Sequence, residues 1–283
     1  MTRPRRAGTS APVRVEVRKT YKLYVGGEFV RSESGRAYRP DGAVNVPRSS
    51  RKDLRDAIKV ARGAFPGWAG RTAMNRGQIL YRAAEMLDGR RAQFVELLGG
   101  GRRARREVEQ AVETLVWYAG WTDKLAQVAG TVNPVSGPYF NFTIPEPTGV
   151  VGVVAPGGPA LDGLVRRLAP VLCGGNTVVA LASEETPIPA LVFGEVLATS
   201  DFPAGVVNVL SGLRSELLPW LASHMDVNAI DCAGCTEEQA AEVERRAAGN
   251  VKRVVRLKSR DELSPYAVTA FMELKTVWHP VGV

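Results

Sequence analysis

Short apolar runs alternate with segments of helical spacing through the middle of the chain. Residues 150–155 are four valines, one glycine and a final alanine, and a second apolar run begins at Thr177. Between them, leucines and valines recur every three or four residues from Leu161 to Leu172, which predicts a helix. Strands that are apolar on both faces and are joined by a helix are typical of a parallel sheet covered on both sides. The glycine turn at 156–159 follows the first strand, where such a sheet usually holds a nucleotide.

The same alternation extends to both sides of this unit. Before it, the pattern predicts a β-hairpin at 21–30 and helices at 51–65, 72–88, 90–98 and 104–127, with Pro66 ending the first of them. After it, helices at 189–199, 214–223 and 236–248 alternate with strands near 206–210, 227–232 and 251–257. Thr236 and Gln239 have the spacing of a capping box. The pattern therefore predicts an α/β fold, an open and mostly parallel Rossmann-like sheet with helices on both faces.

Two segments depart from this alternation. Residues 137–147 alternate in polarity between prolines, which indicates an exposed or edge strand, or one arm of a hairpin. A terminal strand at 272–279 has no helix after it, and such a strand can pair with a sheet edge on another chain. We therefore expect a β arm that projects from the sheet.

Composition and charge narrow the functional classes. The chain has 283 residues, 45% hydrophobic and 23% charged, and no apolar run of membrane-spanning length. Six basic residues against one glutamate within residues 1–19 account for much of the net charge of +8. This segment has no aromatic residue to stack on bases, so we interpret residues 1–20 as a flexible basic tail and expect neither a nucleic-acid nor a membrane partner. Three cysteines are too few for a disulfide scaffold, which favours the cytoplasm.

Candidate chemistry in the residues themselves is sparse. Cys232 and Cys235 form a C-x-x-C at a strand-to-helix junction, an arrangement that lowers a thiol pKa and supports dithiol chemistry. The competing interpretation is that both cysteines only fill space in a turn. Zinc would need two further ligands, and His224 and His279 lack ligand spacing, so we predict no metal site. Cys173 lies on the apolar face of its helix and is expected in the core.

Several motifs occur in the same order as in the cofactor domain of the aldehyde dehydrogenase superfamily. They are YAGWTDK at 118–124, GPY at 137–139, EPTGVVG at 146–152, LAP at 168–170, GNTVV at 175–179 and FPAGVVNV at 202–209. On these segments the chain resembles that superfamily from residue 21 onward. The resemblance implies NAD(P) as cofactor and an arm, built from a hairpin at 131–149 and the terminal strand, that crosses to a neighbouring subunit. It divides the chain into the tail at 1–20, an NAD(P)-binding domain at 21–262 and an oligomerisation segment at 263–283.

The superfamily's catalytic groups have no counterpart at the matching positions. Residues 254–259 stand where the superfamily has its E-L-G-G motif, which carries the general base, so the base position holds Leu257, and no G-Q-x-C nucleophile motif occurs in the sequence. Its P-W-N turn is Pro156, Gly157 and Gly158 here, which removes the asparagine amide that would polarise an aldehyde oxygen. We therefore predict no catalytic residue. The remaining cofactor-binding candidates that the resemblance implies are Pro156, Ser183, Glu184, Gly212 and Gly234.

Three functional hypotheses follow. The first is a non-catalytic member, or pseudoenzyme, that assembles with itself or with a full-length aldehyde dehydrogenase. The second is an NAD(P)-dependent aldehyde dehydrogenase that oxidises an aldehyde to its acid, which requires an activated thiolate for covalent acyl chemistry. The third is a thiol redox protein that uses Cys232 and Cys235. Whether NAD(P) still binds depends on the turns just named.

Overall fold

The computed structural model describes residues 19–40, 42, 44–257 and 263–282. The predicted basic tail lies outside the described residues except for its last two positions, and so do residues 258–262. Among the described residues, none of the helices combines the length and the apolar composition that crossing a bilayer requires.

A seven-stranded sheet forms the centre of the fold, in the order β11-β10-β7-β8-β9-β1-β2. Its first five strands are parallel, and the hairpin of β1 and β2 adds an antiparallel edge. All residues of β7 and β8 are buried, because helices cover both faces of the sheet. This confirms the predicted α/β fold. The strands are β1 Leu23–Val25, β2 Glu28–Val30, β7 Val150–Val154, β8 Thr177–Leu181, β9 Val207–Leu210, β10 Ala229–Asp231 and β11 Arg253–Val255.

The helices form two layers. One contains α1, α8 and α9, and the other contains α2, α4 and α6 with the shorter α3, α7 and α10. Capping boxes start α1, at Ser50 and Asp53, and α9, at Thr236 and Gln239 as predicted. The helices are α1 Arg51–Ala69, α2 Ala73–Gly89, α3 Arg91–Leu97, α4 Gly101–Ala119, α5 Leu125–Ala129, α6 Asp162–Cys173, α7 Ile188–Leu197, α8 Arg214–Ser223, α9 Glu237–Ala247 and α10 Pro265–Thr269.

Two predicted helix ends are wrong. Helix α1 continues through Pro66 to Ala69, because Trp68 is fully buried beyond the proline and packs on the ring of Phe202, with 5.5 Å between the ring centroids. This packing outweighs the hydrogen bond that a proline removes. The predicted helix at 104–127 is two helices, α4 and α5. Helix α4 ends at Ala119, whose carbonyl accepts a hydrogen bond from Thr122 Oγ1 at 3.0 Å.

A separate three-stranded antiparallel sheet projects from the fold, and we call it the arm. It consists of β5 Thr131–Asn133, β6 Tyr139–Pro147 and β12 Met272–Pro280, with β6 in the centre. The hairpin prediction is confirmed by the pairing of β5 with β6. The terminal strand β12 pairs with β6 of its own chain over its full length, and its expected contact with another chain stays a prediction. Before it, Val268 and Phe271 are buried in the core, so the arm proper begins at Met272.

A two-stranded ladder of β3 Ala37–Tyr38 and β4 Val46–Pro47 lies between β2 and α1. Ser49, which follows β4, donates its backbone N–H to the carbonyl of Ser211 at 2.9 Å. This contact holds the ladder beside the carboxyl end of β9.

Candidate functional site

The direction of the chain reverses between β7 and β10. From β7 the chain proceeds to β8 and β9 on one side, and then returns to place β10 on the other side of β7. In open α/β sheets the crevice outside the carboxyl ends of the strands at such a switch point is the usual ligand site. The five predicted site residues all lie at this edge, since Pro156 follows β7, Ser183 and Glu184 follow β8, and Gly212 and Gly234 follow β9 and β10.

Gly234 closes the gap between the two strands at the switch point. Its N–H donates to the carbonyl of Val154 at 2.9 Å, and a Cβ added to it would lie only 2.1 Å from the oxygen of Ala155. Only glycine permits so close an approach of two backbones. Close packing of the two backbones therefore explains why residue 234 is glycine, without any bound phosphate group.

The guanidinium of Arg214 spans the crevice. Arg214 is the first residue of α8, and its Nη2 donates to the carbonyl of Ala155 at 2.7 Å while its Nη1 donates to the carbonyl of Gly234. The side chain thus joins the end of β7 to the turn after β10. Sequence reasoning missed this residue, although a basic side chain in the first turn after the third strand was visible beside Gly212.

Glu184 is also engaged within the chain. Its Oε1 accepts the backbone N–H of Arg214 at the start of α8, where a carboxylate is favoured by the helix dipole. The neighbouring Ser183 is buried, and its Oγ accepts the N–H of Thr186 at 3.2 Å. Burial, and then the nearby charge of Glu184, raise the pKa of Tyr38 to about 12. The Glu184 carboxylate therefore faces the start of α8 and the neutral phenol of Tyr38.

Pro156 and Gly212 have packing roles. The ring of Pro156 lies against Gly163, where a Cβ would come within 2.7 Å of the proline Cγ. A Cβ on Gly212 would meet Leu217 at 2.9 Å and the backbone nitrogen of Ser49 at 3.2 Å. Their assignment as cofactor-binding residues stays a prediction.

Two cavities adjoin this edge. One of about 210 Å³ lies between α8 and α9, with Leu218, Pro219 and Val243 in its apolar lining and Glu242 and Arg246 beside them. The other, of about 460 Å³, lies between the turn after β7 and the start of α4. There the buried carboxylate of Glu107 accepts the N–H of Leu161 at 2.8 Å, which holds the start of α6.

The cysteines fall into two environments. Cys173 is fully buried in α6, and burial raises the pKa of its thiol to about 12, which keeps it protonated. Cys232 and Cys235 flank Gly234 in the turn that forms one wall of the crevice. Among the described residues, no group of three or more His, Cys, Asp or Glu side chains could hold a metal ion.

The residues at the switch point do not fit a dinucleotide as they stand. The crevice between β7 and β10 contains the Arg214 guanidinium, and the carboxylate that would receive ribose hydroxyls accepts a backbone N–H. The apolar cavity of about 210 Å³ between α8 and α9 remains open. A dinucleotide would therefore have to displace Arg214 before it could lie across the sheet edge.

Comparisons with known proteins agree with this architecture. A family model described as "Aldehyde dehydrogenase family" matches residues 36–257. Retinal dehydrogenase 2 from Gallus gallus is 34% identical over 260 residues, which cover 87% of this chain and 49% of that protein. Omega-crystallin from Enteroctopus dofleini is 30% identical over 261 residues, with 87% and 52% coverage.

Solved structures agree as well. A putative aldehyde dehydrogenase from Burkholderia cenocepacia is similar with a TM-score of 0.78 at 29% identity, over 83% of this chain and 50% of that chain. An aldehyde dehydrogenase from Bacillus cereus, in an NAD⁺ complex, has a TM-score of 0.76 at 27% identity with the same coverage. The chain spans about half the length of the curated relatives that it matches.

Proposed function

Because the chain belongs to the aldehyde dehydrogenase family, we propose that it acts there as a non-catalytic subunit, a pseudoenzyme that assembles through its arm. The partner is a second copy of the chain or a full-length aldehyde dehydrogenase. The arm is the observation that carries this proposal, since it is a complete small sheet that exposes apolar side chains far from the crevice.

One face of the arm is suited to a protein partner. Phe140, Phe142 and Ile144 alternate along β6 and point to the same side, and Val277 of β12 lies there too because it pairs with Phe142. Phe140 is 47% exposed and Ile144 is 39% exposed. Contiguous apolar surface of this kind marks interaction sites in soluble proteins.

The arm also has free backbone at its edges. Strand β5 pairs only with residues 141–143 of β6, so among the described residues no strand pairs on that side with the part of β6 that contains Pro145 and Pro147, although helix α5 packs against β6. Strand β12 pairs through one edge with β6. Unpaired strand edges accept another strand by main-chain hydrogen bonds, which makes the arm competent for assembly.

The chemistry at the crevice supports the non-catalytic part of the proposal. Covalent oxidation of an aldehyde needs an activated thiolate beside the cofactor. Cys173 is in the core, and Cys235, in the wall of the crevice, adjoins the Arg214 guanidinium that occupies the switch point where a cofactor would have to lie. We therefore expect no turnover when the purified chain is assayed with NAD or NADP and a panel of aldehydes. Steady reduction of the cofactor would overturn this part of the proposal and favour an authentic dehydrogenase. We propose a cytoplasmic location as well, because three cysteines are too few for a disulfide scaffold.

Light scattering on the purified chain tests assembly. We expect a mass of at least twice 30.5 kDa, or a complex of defined mass when a full-length aldehyde dehydrogenase is added. Ile144→Lys is expected to return the mass to that of one chain, because a lysine amine on the apolar face opposes its burial in an interface.

Tyr81→Lys is the matched control, since it replaces an exposed apolar residue on helix α2, away from the arm, and should leave the mass unchanged. Circular dichroism of each variant shows that it is folded. A single-chain mass for the wild type both alone and in the mixture, or an unchanged mass for Ile144→Lys, would contradict assembly through this face.

A further inference from the structure

The turn that contains both cysteines has the backbone geometry of a disulfide loop. The N–H of Cys235 donates to the carbonyl of Cys232 at 2.9 Å, which closes a four-residue turn. In such turns the first and last Cα atoms are less than about 7 Å apart. That separation overlaps the range of roughly 4.4–6.8 Å that disulfide bonds span. The two thiols can therefore be joined without a large backbone movement.

The two thiols are in contact but differ in access. The side chains of Cys232 and Cys235 are hydrogen-bonded to each other. Cys232 is only 4% exposed, whereas Cys235 is half-buried at the start of the segment that leads into α9. A reagent from solvent therefore reaches Cys235 first.

The charges around the pair favour a thiolate on Cys235. The hydrogen bond from Cys232 lowers the pKa of Cys235, and the positive charges of Arg214 and Arg256 lower it further, against burial and the charge of Asp231. The same hydrogen bond, followed by burial, raises the pKa of Cys232. Cys235 also lies two residues before α9, and a helix N-terminus favours a negative charge.

The two arginines come from different elements. Arg214 begins α8, and Arg256 follows β11, where its guanidinium bonds to Glu237 at 2.8 Å and to Glu244 at 2.9 Å. These carboxylates offset part of the Arg256 charge. Arg214 contacts backbone carbonyls at the crevice and lies near Cys235, so it is the stronger of the two cations for a thiolate there.

We propose that Cys232 and Cys235 form a reversible dithiol–disulfide couple that exchanges with low-molecular-weight disulfides, with Cys235 as the attacking thiol and Cys232 as the resolving thiol. This activity is separate from assembly through the arm and needs neither an aldehyde nor a dinucleotide.

The exchange is balanced in two steps. The Cys235 thiolate attacks one sulfur of the small disulfide, its S–S bond breaks, and the first small thiolate leaves and takes a proton from solvent. The Cys232 thiol then loses its proton to solvent and attacks the Cys235 sulfur of the mixed disulfide, which expels the second small thiol. Two protein thiols are oxidised to one disulfide, and the small disulfide is reduced to two thiols.

Exchange with glutathione disulfide, followed by mass spectrometry of the intact folded chain, tests the proposal. We expect the wild type to lose two hydrogens and to form the 232–235 bond. Cys232→Ser should instead accumulate one glutathione on Cys235, because the resolving thiol is missing. Cys235→Ser should remain unmodified at Cys232. Cys173→Ala is the matched control and should behave as the wild type does, because Cys173 is in the core and apart from the pair.

A second measurement examines the attacking thiol alone. Alkylation of Cys235 in Cys232→Ser, whose hydroxyl can replace the thiol as the donor to Cys235, should at pH 7 be about five to ten times faster than that of an unstructured peptide thiol, because a larger fraction is thiolate. The proposal is overturned if the wild type forms the disulfide only after unfolding. It is also overturned if Cys232→Ser acquires no glutathione, or if alkylation is no faster than in the peptide.

Discussion

Replacing Asn176 by alanine is expected to loosen the joint between the arm and the parallel sheet. The Asn176 side chain is fully buried, and its Oδ1 accepts the N–H of Gly149 at 2.8 Å, where the arm strand β6 passes into β7. Its Nδ2 donates to the carbonyl of Phe271 at 2.9 Å, directly before β12, and to that of Val171 at 3.3 Å. One amide therefore ties the bases of two arm strands to the core.

The expected loss of stability depends on which hydrogen-bond partners the backbone groups around Asn176 keep after the substitution. The Phe271 carbonyl also accepts the N–H of Thr148 at 3.2 Å, and the Val171 carbonyl accepts the backbone N–H of residue 176 at 3.2 Å. The N–H of Gly149 loses the acceptor at 2.8 Å, and a buried donor left unpaired costs about 1–3 kcal/mol. With the small cavity added, we expect Asn176→Ala to lower the free energy of unfolding by about 2–4 kcal/mol.

Thermal and urea unfolding, followed by circular dichroism, measure this loss. At about 2–4 °C per kcal/mol for a chain of this size, the midpoint should fall by roughly 4–16 °C. Amide hydrogen exchange along β12 should accelerate as well. Asn75→Ala is the matched control, because the Asn75 side chain bonds only to the Arg71 and Gln78 side chains at the surface of α2, and its effect should stay within about 0.5 kcal/mol.

A second variant separates hydrogen bonding from size. Asn176→Asp keeps the volume and the acceptor for Gly149 but turns a carboxylate oxygen toward the carbonyls of Phe271 and Val171. We expect it to be less stable than Asn176→Ala at pH 7 and to recover partly at low pH, where the carboxyl is protonated. An alanine variant with a midpoint within 1 °C of the wild type, or an aspartate variant as stable as the wild type, would refute the reasoning.

Two further predictions concern the crevice and a buried lysine. Arg214→Gly removes two charge-assisted hydrogen bonds that a dinucleotide must break. At about 1.5–3 kcal/mol for each bond, NAD should bind on the order of 100 times more tightly, or more, to the variant by calorimetry. Equal affinities would show that the arginine is no obstacle. Burial lowers the pKa of Lys252 from 10.5 to about 8. Between pH 8 and pH 10.5 the unfolded chain therefore binds more protons than the folded chain does, so the contribution of Lys252 to the free energy of unfolding rises with pH. The stability of the wild type relative to Lys252→Met should therefore increase by about 1–2 kcal/mol from pH 8 to pH 10 in urea titrations, and a difference that stays constant or falls would contradict the burial effect.

Local patterns were sufficient to predict most elements. The valine runs of β7 and β8, the helical spacing of α6 and the capping box of α9 all depend on residues within a few positions of one another. The helix end at Pro66 was wrong for a tertiary reason, since the burial of Trp68 against Phe202 maintains the last turn. Local propensity is a weak preference that packing can override.

In the candidate site, too, local sequence predicted the turns but not the contacts between distant residues. The sequence placed Ser183, Glu184 and Gly234 in turns at the carboxyl edge of the sheet, and the structure brings those turns together. It did not indicate that the carboxylate of Glu184 would meet the start of α8, or that the Arg214 guanidinium would join two strand ends. Neither contact has a local pattern, because each depends on which strands become neighbours.

The sequence by itself determined the α/β alternation, the arm hairpin and the position of the cysteine turn, because hydrophobic period, proline placement and turn chemistry act over short stretches of chain. Only the tertiary structure decided that Arg214 reaches Ala155, 59 positions away, and that Asn176 reaches Phe271, 95 positions away. It also decided that β12 pairs with β6 of its own chain. The physical reason is that hydrogen bonds between distant residues form only after strand order has set their separation, and strand order is a property of the whole packed sheet.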